Sequence, residues 1–327
     1  MIVVLITCVL SAVACGAYIR LATRWQVLDV PNERSSHQHP TPRGGGLPLM
    51  LAFYAGVLAF FGPQIFYQSP YSFVLGGAVF LTLVGVLDDA WSLSIRLRFV
   101  AYGLCCCVVA AGLLHDVTFG SGILLAGSVL VVATALLWVL NLYNFMDGLD
   151  GFAASQCFLA CSGAAMLVGV GSSEPYVYFC LLLGFSHLGF LLWNWPVARL
   201  FMGDAGSIST GFVLAALAVL GAVEEILPLG CWLILLALFI TDASYTLCWR
   251  MSTGQKFTQA HRLHGYQRLS RYWGSHLPVL YLLIAVNWLW LFPLAWAART
   301  WAEYGVVIVL LAYLPLLLGV VMLRRLD

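Results

Sequence analysis

Charged residues are scarce in this chain. Only 9% of its 327 residues are Asp, Glu, Lys or Arg, whereas 62% are hydrophobic. Soluble domains carry roughly a quarter charged residues, so a chain with so few cannot cover a water-facing surface and must be solvated by lipid. The net charge is only +1. Because nucleic-acid binding needs a basic surface stripe, we expect no nucleic-acid partner.

Three other features are missing. The ten cysteines lie in apolar runs and form no facing CxxC pairs, which favours small buried side chains over a disulfide framework. No basic segment and no convincing cleavage site accompany the first apolar run, which therefore predicts an uncut first span. The chain also contains no separate soluble domain and no tandem repeat, so 1–327 is predicted to be one transmembrane domain.

Apolar runs of membrane-spanning length occupy most of the chain. A span needs about 20 apolar residues, and runs this uniform predict helices and not barrel strands. The predicted fold class is therefore all-α, a polytopic integral membrane protein with about eleven spans, or ten because several are short. The eleven candidates are 2–19, 47–65, 71–87, 99–114, 122–142, 152–171, 176–193, 206–223, 226–249, 277–297 and 304–323.

The basic residues predict the orientation. Fourteen of the fifteen fall in loops that follow odd-numbered spans or in the C-terminal tail, and only Arg299 lies on the other side. Cytoplasmic loops carry the excess of Lys and Arg, so we expect the N-terminus outside and the C-terminus in the cytoplasm. The outer loops are short and carry little else, so any chemistry is expected on the cytoplasmic side.

Three acidic clusters stand at predicted inner helix ends. The first is Asp88-Asp89, directly after the third span. Charge at a membrane boundary is costly unless it is used or paired, although a polar stop signal for the span is the simpler alternative. The third cluster, around Asp204, is flanked by glycines just before the eighth span. It could present a carboxylate and backbone N–H groups together to a phosphate, or it could be an ordinary helix N-cap.

The second cluster, NLYNFMDGLDG at 141–151, is richer. Asn141, Asn144 and Asp147 recur every three residues and would share one helix face, which Asp150 extends if the helix continues. Gly148 permits a tight turn or the close approach of a ligand. A helix C-cap is the alternative, but it rarely needs two Asn and two Asp. Carboxylate and amide oxygens suit Mg²⁺ together with a phosphate substrate, and the inner loops lack the cysteines that a softer metal would favour.

Two further inner loops are patterned. In 250–276, His261, Arg262 and His264 favour phosphate binding over zinc, with a basic loop attracted to anionic lipid as the alternative. The loop 29–46, which contains Arg43, is punctuated by Pro and Gly and is therefore irregular. We interpret it as a lid or an edge of the site.

The motifs DVPNERSSHQHPTPRGGG, LDD, NLYNFMDGLDG, LFMGDAGS and HRLHGYQRL occur in this order between about residues 29 and 270. Together they resemble the polyprenyl-phosphate N-acetylhexosamine-1-phosphate transferase family. The resemblance implies transfer of a sugar-1-phosphate from a UDP-N-acetylhexosamine to undecaprenyl phosphate, with release of UMP and with Mg²⁺, or Mn²⁺ in its place, as cofactor. It also implies a single transmembrane catalytic domain whose site is built from the cytoplasmic loops 20–46, 88–98, 143–151, 194–206 and 250–276.

The family's functional residues match positions of this chain one by one. By this resemblance, Asp88 activates the lipid phosphate, Asp89 is its partner near the metal, and Asp204 is the Mg²⁺ ligand. The resemblance implies that Asn144 and Asp147 lie in the catalytic cleft and that His261 and His264 lie near the diphosphate. It also implies a uridine pocket formed by Gly148, Leu149, Asp150 and Phe201, with Phe201 stacking on uracil. We further predict that Asn141, Arg43 and Arg262 bind substrate.

One departure bears on the substrate. The phospho-MurNAc-pentapeptide transferases of this family carry three consecutive histidines, whereas this chain has His-Arg-Leu-His at 261–264. The motif is more similar to the branch that initiates bacterial O-antigen, which uses UDP-GlcNAc or 6-deoxy relatives such as UDP-FucNAc and UDP-QuiNAc. That branch implies the bacterial inner membrane, lipopolysaccharide synthesis and, as in other family members, a homodimer. A pentapeptide-type transferase and a membrane transporter with an acidic site at one face are the alternatives.

Overall fold

The computed structural model describes residues 1–30, 40–67, 69–169, 171, 174–255 and 262–326. Short 3₁₀ turns at Pro63–Tyr67, Ala302–Tyr304 and Arg324–Leu326 and a π-helical turn at Asn287–Leu291 accompany the α-helices of this part of the chain. The α-helices are α1 Ile2–Arg24, α2 Gly46–Phe61, α3 Tyr71–Trp91, α4 Ile95–Leu113, α5 Gly122–Phe145, α6 Phe152–Val168, α7 Glu174–Asn194, α8 Asp204–Val223, α9 Leu229–Leu235, α10 Ala237–Ser252, α11 Gly265–Trp273, α12 Leu277–Val286, α13 Phe292–Thr300 and α14 Gly305–Leu323.

Helical structure occupies each of the eleven predicted apolar runs. Eight helical segments of the described chain are long and apolar enough to cross a membrane. A ninth candidate is the pair α9 and α10, which is bent by 73° at its junction. The remaining two runs form the shorter apolar helices α2 and α6, of 16 and 17 residues. The protein is therefore a polytopic helical membrane protein, while the exact number of full crossings and the orientation stay predictions.

A small strand pair departs from the all-α prediction. The strands β1, Leu28–Asp29, and β2, Thr41–Pro42, pair antiparallel, with Leu28 opposite Pro42. The pair extends into a second set of backbone hydrogen bonds, because Phe201 N–H donates to the Pro42 carbonyl at 2.9 Å and Gly45 N–H donates to the Phe201 carbonyl at 2.9 Å. The segment before α2 is thus joined to the segment before α8.

Helix α8 lies at the centre of the bundle and packs against α2, α3 and α5. A helix that is apolar all round is a buried helix. In α8, 83% of the most apolar stretch is buried inside the protein, against 17% in α5. Glycines bring its first turn close to two neighbours. A Cβ on Gly46 would overlap the Gly206 backbone, and one on Gly85 would lie 2.5 Å from the Ala205 Cα. The position of Asp204 is therefore set by close backbone packing.

Two irregular points within the bundle are joined by a buried amide pair. Gln156 of α6 donates to the Leu235 carbonyl, beside the bend between α9 and α10, at 2.8 Å. Asn287, at the start of the π-helical turn, donates to the Gln156 side-chain oxygen at 3.0 Å. Because lipid offers no hydrogen bonds, polar groups near such breaks need partners from within the protein.

Candidate active site

The helix ends and the predicted inner loops surround one cavity of about 780 Å³. Its wall brings together predicted residues from all five motifs, together with several residues that were not predicted from the sequence. The predicted residues in the wall are Arg43, Asp89, Asn144, Asp147, Gly148, Leu149, Asp150, Phe201, Asp204 and Arg262. The additional ones are Asp29, Asn194, Met202, Gly203, Gln267, Ser270, Arg271, Gly274, Ser275 and His276.

Asp204 is the first residue of α8 and is held from two sides. Its Oδ1 accepts a hydrogen bond from the Asn144 side chain at 3.0 Å, and its Oδ2 lies 3.1 Å from Nη1 of Arg98. Asn144 also donates to Ser207, one turn along α8, at 2.8 Å. The amide of Asn144 therefore orients the carboxylate for which the family resemblance implies a metal-binding role.

Asp89 has a structural contact that the sequence did not predict. Its two carboxylate oxygens accept the backbone N–H groups of Asp204 and Ala205, at 3.1 and 3.2 Å. The first N–H groups of a helix lack intrahelical partners, so Asp89 of α3 caps α8 from a neighbouring helix. Gly203 has φ +73°, and a Cβ there would lie 2.8 Å from the Asp89 carboxylate. Both observations explain why glycine precedes Asp204.

Asp88 does not line the cavity, although it was predicted to be catalytic. Its carboxylate is 8% exposed, lies 2.5 Å from Nη1 of Arg98 and accepts the Leu93 N–H at 2.7 Å. Arg98, one turn into α4, therefore bridges Asp88 and Asp204. From the sequence, Arg98 is predicted only to be a basic residue of an inner loop, because nothing local signals its pairing with a carboxylate 106 residues away.

Asn141 and Asn144 both lie on α5, but the predicted shared helix face does not extend to Asp147, because α5 ends at Phe145. The chain then turns, and Asp147 and Asp150 lie in the connection to α6. Asn141 does not line the cavity; its side chain donates back to the Leu137 carbonyl at 2.7 Å. Gly151, with φ +72°, precedes α6 in a left-handed conformation that favours glycine.

Asp147 makes no side-chain hydrogen bond to any residue that the structure describes. Its pKa is raised well above the ordinary value, first by burial and then by the nearby carboxylates of Asp204, Asp89 and Asp150. Burial and like charge both disfavour an ionised carboxylate. Asp147 is therefore a group at which a cation would be strongly stabilised.

Asp150 is held by groups from two other segments. Its Oδ2 accepts the Ala198 N–H at 3.1 Å and lies 3.2 Å from Nδ1 of His276. The next residue, Gly151, donates its N–H to the Asn194 side chain at 3.0 Å. Asn194 and His276 both line the cavity, and the sequence reading missed both.

The late histidine motif differs from its prediction. His261 lies outside the described residues. His264, predicted to be catalytic, is 4% exposed and does not line the cavity. Its Nδ1 lies 3.4 Å from Asp242, whose carboxylate also accepts the backbone N–H groups of Gly265 and Tyr266, each at 2.9 Å. Asp242 of α10 thus caps α11, because the free N–H groups at the start of α11 need an acceptor. His264 lies beside this buried cap.

Three arginines make part of the cavity lining basic. Arg271 donates to the Arg262 carbonyl at 2.8 Å, and the pKa of Arg262 is lowered by burial and by the nearby charge of Arg271. Arg43 donates to the Asp89 carbonyl at 2.9 Å. Guanidinium groups suit phosphate recognition, so the cavity combines an acidic wall with groups able to hold phosphates.

Comparisons with known proteins identify the family of this chain. The sequence model of glycosyl transferase family 4 matches residues 71–222. The phospho-N-acetylmuramoyl-pentapeptide-transferase of Heliobacterium modesticaldum is 30% identical over 245 residues, which cover 68% of this chain and 74% of that protein. The chain therefore belongs to glycosyl transferase family 4.

Two other relatives carry different names. The probable undecaprenyl-phosphate N-acetylglucosaminyl 1-phosphate transferase of Bacillus subtilis is 26% identical over 309 residues, covering 91% of this chain and 85% of that protein. The undecaprenyl-phosphate alpha-N-acetylglucosaminyl 1-phosphate transferase of Escherichia coli is 26% identical over 206 residues, covering 60% of this chain and 55% of that protein. The family membership suspected from the motifs is thus confirmed.

Proposed function

We propose that this chain transfers an N-acetylhexosamine-1-phosphate from a UDP-sugar to undecaprenyl phosphate and releases UMP. The observation that carries the proposal is the meeting of Asp147, Asp204 and Asn144 with Arg43 in one cavity at the ends of membrane helices. A cavity at that place can receive a soluble nucleotide sugar and a lipid phosphate together. The proposal is further supported by the family and by the polyprenyl phosphates in the names of two relatives.

The reaction is a phosphoryl transfer. An oxygen of the lipid phosphate attacks the β-phosphorus of the UDP-sugar. The bond from that phosphorus to the bridging oxygen breaks, UMP leaves with the electron pair, and a polyprenyl diphosphate sugar remains. A phosphate monoester is largely ionised near pH 7, because its second pKa is about 6. Positioning and charge neutralisation therefore matter more than proton removal.

The cavity residues fit these tasks. Arg43, Arg262 and Arg271 supply positive charge for the phosphates of donor and acceptor. Asn144 and Arg98 orient the Asp204 carboxylate. Asp88, which is paired with Arg98, acts by holding that guanidinium in place and not as a base in the cavity. The uridine end of the donor lies along Gly148, Leu149, Asp150 and Phe201.

A divalent cation fits the acidic wall. Asp204 and Asp89 would hold Mg²⁺, with Mn²⁺ as a substitute, and Asp147 adds a nearby negative charge. The described residues contain no cluster of three His, Cys, Asp or Glu side chains that could hold a metal alone. Mg²⁺ does not need one, because it usually takes one or two protein carboxylates together with substrate phosphates and water. When bound, the cation would polarise the diphosphate as a Lewis acid.

The form of the late histidine motif supports a narrower choice of sugar donor. The His-Arg-Leu-His segment favours UDP-GlcNAc or a 6-deoxy relative such as UDP-FucNAc or UDP-QuiNAc as donor. The product then starts O-antigen or another envelope polysaccharide on the cytoplasmic face of a bacterial inner membrane, with the enzyme as a homodimer. A pentapeptide-type donor is the second candidate, because the 30%-identical relative is named for it.

The test is UMP release by detergent-purified protein with undecaprenyl phosphate and Mg²⁺. UDP-GlcNAc, UDP-FucNAc, UDP-QuiNAc and UDP-MurNAc-pentapeptide are offered separately. We expect release with one amino-sugar donor, and we expect both EDTA and Asp204→Asn to abolish it. If folded protein released UMP from none of these donors and bound no UMP, the proposal would be wrong. Release from the pentapeptide donor alone would select the second candidate.

A further inference from the structure

His276 lies in the cavity wall and contacts one predicted nucleotide-binding residue. Its Nδ1 is 3.2 Å from Asp150 Oδ2 and 3.4 Å from the Asp150 backbone nitrogen. The two side chains are mostly buried, at 15% and 9% exposure. The contact joins the connection between α5 and α6 to the start of α12, which are 126 residues apart.

A short, well-defined turn positions His276. Gly274 ends α11 with φ +66°, and His276 is the N-cap residue of α12, whose first turn contains Pro278. Ser275 Oγ accepts the Leu277 N–H at 3.3 Å. Gly after one helix and Pro within the first turn of the next are the usual residues for such a connection. The imidazole is therefore held on a rigid corner of the cavity.

Asp150 does not depend on His276 for its position. The Ala198 N–H already donates to its carboxylate, and the Gly151 N–H is bound by Asn194. The contact therefore acts in the other direction, with Asp150 orienting the imidazole. The Asp150 backbone N–H donates to Nδ1 at 3.4 Å, which favours the tautomer that carries its proton on Nε2. Nε2 makes no hydrogen bond to any other residue in the described ranges.

We propose that His276 binds the nucleoside part of the UDP-sugar, with the Nε2–H donating a hydrogen bond to the uracil O4 or to the ribose 2′-hydroxyl. This inference rests on the proposed function. The Asp150 carboxylate lies 3.2 Å from Nδ1 and disfavours a second negative charge such as a phosphate beside the imidazole, whereas the uracil and ribose oxygens are uncharged acceptors. The neighbouring wall also fits a nucleoside, because Gly148, Leu149 and Phe201 offer backbone and an aromatic ring beside Asp150.

Two substitutions separate this role from simple support of Asp150. In His276→Asn the side-chain amide can still reach Asp150 but lacks a group at the Nε2 position, whereas His276→Gln places one near it. We expect His276→Asn to weaken UMP binding about tenfold, as for the loss of one hydrogen bond. We expect the KM for the UDP-sugar to rise similarly with kcat changed by less than about twofold, and Gln to recover part of the loss.

The control is the exposed pair His115–Asp116, whose side chains lie 2.9 Å apart at 76% and 81% exposure. His115→Asn should leave UMP binding unchanged. The measurement is calorimetric titration of the full-length protein in detergent with UMP, dUMP and CMP. The dUMP and CMP ligands lack the 2′-hydroxyl and the base O4 in turn, so the wild-type protein should bind one of them more weakly than UMP, and His276→Asn should lose that difference.

The outcomes are distinct. If the wild-type protein binds UMP and folded His276→Asn binds it equally well, the role of His276 is wrong while the proposed function stands. If both nucleotide differences persist in His276→Asn, the Nε2 contact is likewise overturned. If folded wild-type protein binds no UMP at all, the proposed function fails, and this inference fails with it.

Discussion

The carboxylate of Asp89 accepts the backbone N–H of Asp204 at 3.1 Å. An acidic residue at the end of α3 thus fixes the start of α8, and the side chain of Asp204 emerges from that capped turn. The helix N-terminus carries partial positive charge, which a carboxylate stabilises. The two motifs that the sequence shows as separate acidic clusters are therefore one structural unit.

Replacing Asp89 with Asn should damage both stability and activity. The amide keeps one acceptor oxygen but loses the charge, so only one of the two backbone N–H groups keeps a strong partner. We expect the free energy of unfolding to fall by about 1 kcal/mol and UMP release to fall at least about 100-fold. Thermal unfolding in detergent and the UMP assay measure these effects. Asp116→Asn, at an exposed position, is the control. Equal melting temperatures and equal UMP release in the Asp89→Asn and Asp116→Asn proteins would contradict the capping role.

Gly203→Ala should be harmful for a steric reason. At φ +73° the new Cβ would lie 2.8 Å from the Asp89 carboxylate, so the cap must shift. Backbone strain at a left-handed position costs about 1–3 kcal/mol, and we expect a lower melting temperature and loss of UMP release. Gly103→Ala provides the matched control, since a Cβ there meets no atom within 4 Å. A Gly203→Ala protein with wild-type melting and turnover would show that the tight contact is not needed.

Arg98→Gln should leave two carboxylates without their shared cation. Nη1 of the guanidinium touches both Asp88 and Asp204. The rigid planar guanidinium fixes the direction of that nitrogen, whereas a Lys ammonium is a point charge on a flexible stem. We expect UMP release to fall at least about 100-fold in Arg98→Gln and to recover only in part in Arg98→Lys. Arg96→Gln changes an exposed arginine two residues earlier and should retain activity. Comparable losses at both positions would instead point to a general effect of surface charge.

The raised pKa of Asp147 predicts a pH-dependent stability. The folded protein binds this proton more tightly than the unfolded chain does. The free energy of unfolding should therefore fall as the pH rises from the ordinary carboxyl pKa of about 4 through the raised pKa of Asp147. Asp147→Asn removes the ionisation, so its advantage in melting temperature over the wild-type protein should grow between about pH 5 and pH 8 while UMP release is lost.

Thermal unfolding across that pH range, without added metal or nucleotide, measures the effect of Asp147→Asn. Asp116→Asn, at an exposed position, should follow the wild-type curve throughout. A constant difference between the Asp147→Asn and wild-type proteins at every pH would contradict the raised pKa.

Some of the site could be predicted because its residues are unusual where they stand. Asp89, Asp147 and Asp204 are carboxylates at the ends of apolar runs, and all three line the cavity. Asn141 was predicted from helical spacing and His264 from the family resemblance, and neither lines it. Asn141 lies on α5 but bonds back to the Leu137 carbonyl, and the predicted helix face does not reach Asp147 because α5 ends at Phe145.

Other residues gave no local signal. Arg98 and His276 each meet a carboxylate more than 100 positions away, at 106 and 126 residues. Asp242, an acid within the predicted span 226–249, caps α11 and lies beside His264. Each of these contacts depends on which helix ends lie side by side, and a single sequence does not contain that information.

The sequence by itself determined the class of protein and the helices. Long apolar runs must form helices, because in lipid each backbone polar group needs a partner within its own segment. The motifs also determined the family. Only the tertiary structure decided which acids face the cavity and which cap helices or pair with arginine. That choice depends on close backbone packing at Gly46, Gly85 and Gly206, which brings helix ends from distant parts of the chain into contact.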